Sequence, residues 1–396
     1  MTSSSTLTFR DPSKPGAPLV PRAEWDRAPW NRWTFQNVRS IVPTAQVWRG
    51  QGGPTEMLSA HQDIDRVEFE LDGTRRTVAN FMQAQYTDAF LVLHRGKVVA
   101  ERYLSGMTAR TPHLSQSVAK SIVGTVAGIL IERGEIDPAA PLTQYLPELE
   151  TTAYRGATVQ HVLDMTSGVV FDETYTAHDS HMAQLDVASG WKDGHQPDWP
   201  KNVWELILTL KEAECPHGAS FRYRSIETDA LAFVLQRVSG LMLSELVSRE
   251  LWSRMGAEED AYFTVDPAGY ALGDGGFNAT LRDYGRFALL HLGQGNIGGQ
   301  QVVPSRWIEE TRHGKSYPLG DNYCQTLPRG SYHNQFWIED QKRRAYMARG
   351  VFGQLIYIDP EGDFAAVILS SWPQFLSTDR TRTALSAIHA IRDALN

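Results

Sequence analysis

The sequence predicts an α+β fold in which an antiparallel sheet is flanked by helices and interrupted by an all-helical insert. Three observations predict this arrangement. A hairpin pattern lies in the first third of the chain, helical patterns fill the middle, and apolar strands separated by turns precede one last helix. Strands that follow one another through short turns pair antiparallel, so the helices between them are expected outside the sheet.

The sheet is predicted from short apolar runs that end at turn residues. The runs at 90–93 and 98–103 are joined by Arg95-Gly96-Lys97, which is typical of a hairpin with a glycine turn. Later in the chain, the segment 359–363 (Asp-Pro-Glu-Gly-Asp) is a strong turn signal between two further runs. The remaining elements of this part are strands at 336–338, 345–350, 355–358 and 364–369, and a helix at 379–395.

The insert is predicted from apolar residues that recur every three or four positions. This spacing is clearest in 228–251, where Leu231, Val234, Leu235, Val238 and Leu241 follow it. Other helical patterns fall at 159–165, 203–211 and 282–292. Residues 169–202 show no such period, and we interpret them as a long lid or binding loop.

We expect two domains from these patterns. Residues 1–115 together with 275–396 would form an α/β domain that contains the antiparallel sheet. Residues 116–274 would form a mainly helical domain that carries the lid loop at 169–202. The first 45 residues or so are rich in Pro, Trp and Arg and are expected to run as irregular chain over the surface.

Composition excludes several classes of protein. A formal charge of −8 over 396 residues, without a cluster of Lys and Arg, argues against binding to nucleic acid. No apolar run approaches the length of a membrane span, and the first six residues lack the basic and apolar regions of a secretory signal. Cys215 and Cys324 are therefore expected to be free thiols in a cytoplasmic protein.

A short polar stretch at 113–121 carries the best candidate for catalysis. Ser117 and Lys120 are three residues apart, so a helix that begins near Ser117 would place both side chains on one face. A partly desolvated lysine loses proton affinity and can accept the proton of a serine nucleophile. The backbone N–H of Ser117, at a helix N-terminus, can also help to bind an oxyanion.

The Ser-x-x-Lys pattern alone is weak, because Ser189 and Lys192 match it too. The residues after Ser117 distinguish the two copies. The segment 122–131 is apolar nearly all round and predicts a buried helix, in which Gly124 and Gly128 would allow another element to approach closely. No such helix follows Ser189, whose Gly-Trp centre indicates a loop.

Other chemistry is less well supported. His178 and His181 are three apart in the long loop, but a solvated loop explains them better than a metal site. The glycines from 293 to 298 fit G-x-G-x-x-G, yet a helix precedes them where a dinucleotide site needs a strand. The sequence contains no G-x-S-x-G, H-E-x-x-H, C-x-x-C or P-loop motif. Ser117 with Lys120 is the remaining candidate, and we expect no metal or cofactor.

A Ser/Lys pair also needs a group that protonates the leaving group. A tyrosine can do this if nearby cations lower its pKa. Two segments offer a tyrosine two residues before Ser or Asn: Tyr223-Arg224-Ser225 before a predicted helix, and Tyr332-His333-Asn334 before the strands. The residues themselves leave the choice between Tyr223 and Tyr332 open.

Taken together, these motifs resemble the class C serine β-lactamase and penicillin-recognising esterase family. The resemblance is closest to its hydrolases of linear 6-aminohexanoate (nylon) oligomers and runs from about residue 30 to the end of the chain. The stretches that carry it are 86–93, Ser117-Val118-Ala119-Lys120-Ser121, Ile136-Asp137-Pro138, Val162-Leu163-Asp164-Met165 and Ser370-Ser371-Trp372-Pro373.

The resemblance implies a role for each matching residue. Ser117 would be the nucleophile, Lys120 its base, and Tyr223, rather than Tyr332, the proton shuttle. The N–H groups of Ser117 and Val351 would bind the oxyanion. The implied substrate-binding residues are Tyr175 at the substrate amide nitrogen, Asp186 at the substrate amino group, Trp191 on the lid, and Gly350 and Asp274 beside the reacting centre.

The sequence departs from the family pattern in the pocket. A β-lactamase would carry Lys-Thr-Gly or His-Thr-Gly where this chain has Ala348-Arg349-Gly350. The 6-aminohexanoate oligomer hydrolases carry a His where this chain has Phe352, and an Asn where it has Asp274.

We therefore predict a serine hydrolase that cleaves a short linear amide, such as the linear dimer of 6-aminohexanoate, through an acyl-enzyme. The nearer alternative is a carboxylesterase with the same Ser/Lys/Tyr groups, and the more distant one is a non-catalytic binding protein on the same scaffold. The expected partner is a small-molecule substrate, not nucleic acid or a membrane, and association into a homodimer is left open.

Overall fold

The structure is a computed structural model, and it describes residues 20–194, 196–314, 319–340 and 342–396. The strands are β1 Thr44–Val47, β2 Glu68–Leu71, β3 Thr74–Thr77, β4 Thr87–His94, β5 Lys97–Tyr103, β6 Pro112–Leu114, β7 Ala261–Thr264, β8 Phe277–Thr280, β9 Asn296–Ile297, β10 Gln300–Gln301, β11 Ser331–His333, β12 Phe336–Ile338, β13 Tyr346–Gly350, β14 Gln354–Asp359 and β15 Phe364–Ser370.

The α-helices are α1 Asn31–Thr34, α2 Val78–Ala84, α3 Val118–Glu132, α4 Leu142–Tyr145, α5 Val159–Leu163, α6 His181–Ala188, α7 Val203–Thr209, α8 Ile226–Ser239, α9 Leu243–Val247, α10 Leu281–Leu292, α11 Ser305–His313, α12 Asp321–Cys324 and α13 Thr378–Leu395. Short 3₁₀ turns include Val351–Gly353, directly after β13.

The main sheet has seven antiparallel strands in the order β11-β12-β13-β14-β15-β4-β5. The predicted hairpin forms β4 and β5, which lie at one end of this order, and the predicted C-terminal strands form the rest. Strand β4 shows why the sheet needs a layer on each face. Leu91 and Leu93 belong to one apolar core and Phe90 and Val92 to another, because alternate side chains point to opposite faces. The predicted α+β fold is confirmed.

Helix α3 is buried along almost its whole length, as its composition predicts. Its two glycines lie where neighbouring chain comes close. A Cβ on Gly124 would lie 2.7 Å from the carbonyl oxygen of Asn334, and one on Gly128 would lie 2.3 Å from the ring of Trp307. The helix ends at the predicted glycine, since Gly134 has a φ of +72°.

Three expectations for the middle of the chain are corrected. The segment 169–202 is not loop throughout, because α6 forms where the Ser180 side chain accepts a hydrogen bond from the N–H of Ala183. The single helix predicted over 228–251 is broken at Gly240, whose φ of +69° ends α8. The predicted helical domain also contributes one strand, β7, to a four-stranded sheet in the order β1-β7-β8-β6. The two-domain division of the chain stays a prediction.

The N-terminal part is more ordered than the sequence predicts. Residues 1–19 of the predicted irregular segment lie outside the described residues. From residue 20 on, short helices lead into β1, which pairs with β7. Trp25 and Phe35 are fully buried in the main core, so this segment packs into the protein and does not merely cover it.

Within the described ranges, no single helix is long and apolar enough to cross a membrane. The helices Ile226–Ser239 and Leu243–Trp252 meet the length and composition test only as a pair, with a bend of 76° between them.

We expect Gly124→Ala to lower the free energy of unfolding by about 1–3 kcal/mol, because its Cβ would meet backbone that must shift. Urea denaturation measures this. Gly52→Ala is the matched control, since a Cβ there meets nothing within 4 Å and its unfolding midpoint should not fall. Equal midpoints for the two variants would contradict the close packing of α3.

Candidate active site

Ser117 and Lys120 meet at the start of α3. Ser117 is the residue that precedes the first turn, and Lys120 follows one turn later. The Lys120 Nζ lies 3.0 Å from the Ser117 Oγ, within hydrogen-bonding distance. The predicted contact between these two side chains is therefore present in the structure.

Lys120 is almost completely buried, with an exposure of 1%. Its Nζ also donates to the Ser225 Oγ at 3.2 Å and to the carbonyl oxygen of Asp274 at 2.5 Å. Burial lowers the pKa of Lys120, whereas the negative charges of Asp274, Glu173 and Asp229 oppose this shift. The lysine is thus easier to deprotonate than an exposed one and can accept a proton from Ser117.

Tyr223 lies near Ser117, in the loop that leads to α8. The Ser117 side chain lowers the pKa of the Tyr223 hydroxyl, although burial outweighs this effect. The ring stacks on Trp337 with centroids 5.4 Å apart, and the Lys120 Nζ is 5.2 Å from the ring centre. Tyr332, the other candidate from the sequence, instead directs its hydroxyl to the Gln335 Oε1 at 3.3 Å.

We expected nearby cations to lower the pKa of the proton-donating tyrosine, and this expectation is wrong for Tyr223. Burial raises its pKa well above the usual value of 10, and the charge of Glu173 raises it further. The guanidinium of Arg349 acts in the opposite direction but is outweighed. Tyr223 is therefore a neutral phenol that can donate and relay a proton, but it does not supply a phenolate base.

Strand β13 ends directly against Ser117. A Cβ on Gly350 would lie 3.0 Å from the Ser117 N and 2.5 Å from the Ser115 carbonyl oxygen, so only glycine allows this approach. Val351 follows Gly350, which brings its backbone close to that of Ser117. Two backbone N–H groups near a serine nucleophile form the kind of site that stabilises an oxyanion.

The turn after Val351 has an unusual backbone. Phe352 has a φ of +61°, which is rare for a residue other than glycine. Its N–H donates to the Phe375 carbonyl oxygen at 2.9 Å, and its ring packs against Phe35 and Phe375 at 5.4 and 4.6 Å. Aromatic packing on both sides therefore holds this turn in place.

A small cavity opens from Ser117 toward α6, which we call the acyl cavity. Six of the residues predicted for the site line it: Ser117, Tyr175, Asp186, Trp191, Asp274 and Val351. Residues from five separate parts of the chain thus converge on one space next to the serine.

The comparison with protein families decides what this arrangement is. The family model described as beta-lactamase matches residues 74–391, which is most of the chain. The chain belongs to the β-lactamase family. Its enzyme class is that of a serine hydrolase.

Relatives within the β-lactamase family differ in how far they match. The chain is 36% identical to the 6-aminohexanoate-dimer hydrolase of Paenarthrobacter ureafaciens over 88% of its own length and 87% of that protein's. It is 26% identical to esterase EstB of Burkholderia gladioli, over 39% of its length and 40% of that protein's.

Among solved structures, too, the one named as a 6-aminohexanoate-dimer hydrolase is more similar to this chain than a carboxylesterase is. A protein from Bacillus anthracis that is assigned by name to the 6-aminohexanoate-dimer hydrolases has a TM-score of 0.87 and 28% identity, and the match covers 95% of this chain and 97% of that one. A family VIII carboxylesterase shares the fold, with a TM-score of 0.61 and 16% identity over 79% of this chain and 95% of that one.

Asp186 is not a free carboxylate in this member of the β-lactamase family. Its Oδ2 forms an ion pair with the Lys192 Nζ at 2.8 Å, and Asp26 lies 3.4 Å from the same ammonium. Burial raises the pKa of Asp186, and it raises that of Asp26 to about 6. The charge of Arg27 also lowers the pKa of both carboxylates, so two carboxylates and two cations meet at this end of the cavity. The ion pair with Asp186 accounts for Lys192, the lysine of the second Ser-x-x-Lys pattern.

Trp191 and Tyr175 are both held by contacts on the wall of the acyl cavity. The Trp191 Nε1 donates to the Thr264 Oγ1 at 3.1 Å, and its carbonyl oxygen accepts from the Trp25 Nε1 at 2.8 Å. The ring of Tyr175 stacks on Phe375 with centroids 5.3 Å apart. Both residues of the lid segment are therefore held against the body of the protein.

Glu173 is an active-site residue that the sequence did not reveal. Its carboxylate accepts hydrogen bonds from the Ser225 N–H at 2.9 Å, the Ser225 Oγ at 2.5 Å and the Tyr175 hydroxyl at 2.8 Å. It thus joins the lid segment to the residue that contacts Lys120. Nothing in the local sequence could have indicated this role, since acidic residues are common in loops and Ser225 is 52 positions away.

Asp229 and Asp274 form a second acidic group behind Lys120. The Asp229 Oδ1 accepts from the N–H groups of Gly273 and Asp274 at 2.9 and 3.2 Å. Burial raises the pKa of Asp229 well above its usual value and that of Asp274 to about 6.

That His181 does not bind a metal stays a prediction. Its Nδ1 accepts a hydrogen bond from the Asp172 N–H at 3.0 Å.

We expect Glu173→Gln to move the acidic limb of the pH profile of kcat/KM to lower pH. The charge of Glu173 raises the pKa of Lys120, so its removal lets Lys120 deprotonate at lower pH. Hydrolysis of a neutral aryl ester across pH 5–9 measures the limb. Asp179→Asn, in the exposed part of the same segment, should leave it in place. A limb that moves to higher pH would contradict this electrostatic coupling.

Proposed function

We propose that this protein hydrolyses short linear amides through an acyl-enzyme and that the linear dimer of 6-aminohexanoate represents its substrate class. The observation that carries the reaction type is the 3.0 Å contact between the Lys120 Nζ and the Ser117 Oγ at a buried site. The substrate class is supported by the relative from Paenarthrobacter ureafaciens, which bears that substrate in its name and matches nearly the whole chain.

Acylation begins with transfer of the Ser117 proton to neutral Lys120. The Ser117 Oγ then attacks the amide carbon, and the carbonyl oxygen takes the negative charge. The N–H groups of Ser117 and Val351 stabilise this oxyanion, and each such donor typically contributes about 2.7–4 kcal/mol to catalysis.

The amide nitrogen must gain a proton before it can leave, because an amide anion is a very poor leaving group. Tyr223 is the proposed donor, since it lies near Ser117 and its raised pKa keeps it protonated. Lys120, now protonated, returns its proton through the Tyr223 hydroxyl. Water then attacks the acyl-enzyme, with the same groups acting in reverse.

The acyl cavity favours a substrate half with a positive amine. Lys192 and Arg27 balance the charges of Asp186 and Asp26, but Asp274 also lines the cavity, and its negative charge raises the pKa of Asp186. A substrate ammonium in this cavity would compensate that charge. Tyr175 and Trp191 would close the cavity over the methylene chain.

A carboxylesterase is the second candidate. It is favoured by the match to esterase EstB of Burkholderia gladioli and by the fact that the same serine, lysine and tyrosine groups also cleave esters. We further propose a cytoplasmic location, with which the two unpaired thiols Cys215 and Cys324 agree.

We expect the wild-type enzyme to release 6-aminohexanoate from its linear dimer and Ser117→Ala to lose about 10⁴- to 10⁶-fold in kcat, because the nucleophile is absent. Chromatography of the product measures both. An unchanged unfolding midpoint of the variant controls for its fold. Turnover that survives in Ser117→Ala would refute the mechanism, whereas cleavage of a short aryl ester alone would favour the esterase.

We expect Asp186→Asn to reduce the preference for amino-terminated over N-acetylated substrates by about tenfold, since a carboxylate that lines the acyl cavity is removed. The ratio of the two kcat/KM values measures this preference. Lys192→Met is the matched variant: it frees the Asp186 carboxylate but also removes the charge that lowers its pKa, so we expect the ratio to rise only at alkaline pH, where Asp186 is ionised. If Asp186→Asn left the ratio unchanged, the amine-binding role of Asp186 would be wrong.

A further inference from the structure

A second, larger cavity lies on the other side of Tyr175, and we call it the outer cavity. Tyr175 lines both cavities, so its ring and that of Phe375 separate them. Tyr223 and Arg349 also line the outer cavity. The site thus has one compartment at Asp186, which Ser117 lines, and another at Arg349, which Tyr223 lines.

Arg349 is the unusual group of the outer cavity. Its Nη1 is buried without a hydrogen-bond partner, and its guanidinium lies 5.3 Å from the centre of the Trp337 ring. Among the described residues, no carboxylate lies within ion-pair distance of it. Arg349 as a whole is half-buried, and a cation that is partly withdrawn from water without a counter-ion is unfavourable unless something else supplies the negative charge.

The acidic residues of this cavity do not supply that charge. The Glu173 carboxylate is already bonded to Ser225 and Tyr175, and the Asp172 Oδ1 accepts from the N–H and hydroxyl of Thr174. Arg222, which also lines the cavity, forms an ion pair with Glu214. Arg27 also lines the cavity and forms no ion pair among the described residues, but its charge lowers the pKa of Asp26 and Asp186, so it lies toward the acidic group of the acyl cavity. The charge of Arg349 acts on Tyr223 instead, so Arg349 is the cation that is placed to bind an anion beside the proton donor.

The direction of the reaction identifies which half of a substrate enters the outer cavity. The leaving nitrogen must lie at the proton donor Tyr223, so the leaving half extends into the space that Tyr223 and Arg349 line together. A 6-aminohexanoate unit has seven main-chain atoms, as many as two and a third residues, and spans about 8 Å when extended. Tyr223 and Arg349 line the same cavity, so the nitrogen of such a unit can lie at Tyr223 while its carboxylate extends toward Arg349.

We propose that the outer cavity is a carboxylate subsite in which Arg349 binds the free terminal carboxylate of the leaving half. This inference rests on the acyl-enzyme reaction proposed above and adds the recognition of the substrate's far end. A planar guanidinium can bind a carboxylate through two parallel hydrogen bonds. Because the amine of the acyl half is proposed to lie at Asp186, recognition of both ends would favour the linear dimer over longer oligomers.

The test compares the linear dimer with the same dimer whose terminal carboxylate is capped as a carboxamide. The measured quantity is the ratio of kcat/KM for the free over the capped substrate. We expect about 10- to 100-fold for the wild type, which is the usual effect of one charge-assisted contact. Arg349→Met should bring the ratio close to one, and Arg349→Lys should retain part of it, because a lysine offers no bidentate contact.

Arg222→Met is the matched control, since it removes another arginine of the same cavity that is already paired, and it should keep the wild-type ratio. The proposal is overturned if the wild-type ratio is near one. It is also overturned if Arg349→Met leaves the ratio at its wild-type value. Because both outcomes concern a ratio, a general loss of activity in a poorly folded variant does not imitate them.

A second substrate series separates this proposal from the proposed function. It consists of short acyl esters of 6-hydroxyhexanoate and of its carboxamide. If the enzyme cleaves these esters but not the amides, the amide hydrolase assignment fails. The carboxylate subsite nevertheless stands if the ester ratio is large in the wild type and lost in Arg349→Met, and it falls if the ester ratio is near one.

Discussion

The removal of Lys120 from water is the constraint on which the rest of the site depends. A lysine in solvent stays protonated near neutral pH and cannot act as a base toward Ser117. Helix α3 achieves the burial because it is apolar nearly all round and packs tightly at Gly124 and Gly128. The ammonium is still stabilised by the Asp274 carbonyl and two serine hydroxyls. Acidic groups around it keep the burial from making the lysine permanently neutral, so both protonation states are accessible during the reaction.

Features that depend on local patterns could be predicted from the sequence. The strands follow from apolar runs between turns, and the buried helix with its Ser117 and Lys120 follows from composition and spacing. Helix α6 was missed because its start depends on one capping serine in an otherwise polar segment. The break at Gly240 was missed because the apolar spacing continues beyond it, although a glycine in the left-handed region ends the helix.

Interactions between distant parts of the chain could not be predicted. The link between Glu173 and Ser225, the ion pair of Asp186 with Lys192 and Asp26, and the packing of Phe352 each join segments that no periodicity relates. Roles that were assigned from the family resemblance also could not take such contacts into account. Asp186 was expected as a carboxylate available to a substrate, whereas the structure shows that a lysine of the same chain already occupies one of its oxygens.

The packing of Trp25 and Phe35 has a consequence for how the pocket can change in evolution. Both residues precede the part of the chain that matches the family model, which begins at residue 74. Yet the Trp25 side chain donates a hydrogen bond to the Trp191 carbonyl oxygen, and Asp26 forms an ion pair with Lys192. The ring of Phe35 packs on that of Phe352, in the turn that follows Val351. Part of the support of the pocket therefore lies outside the stretch of sequence that carries the catalytic groups. Substitutions in residues 20–47 could reshape substrate selection while Ser117, Lys120 and Tyr223 keep their surroundings in the shared body of the fold.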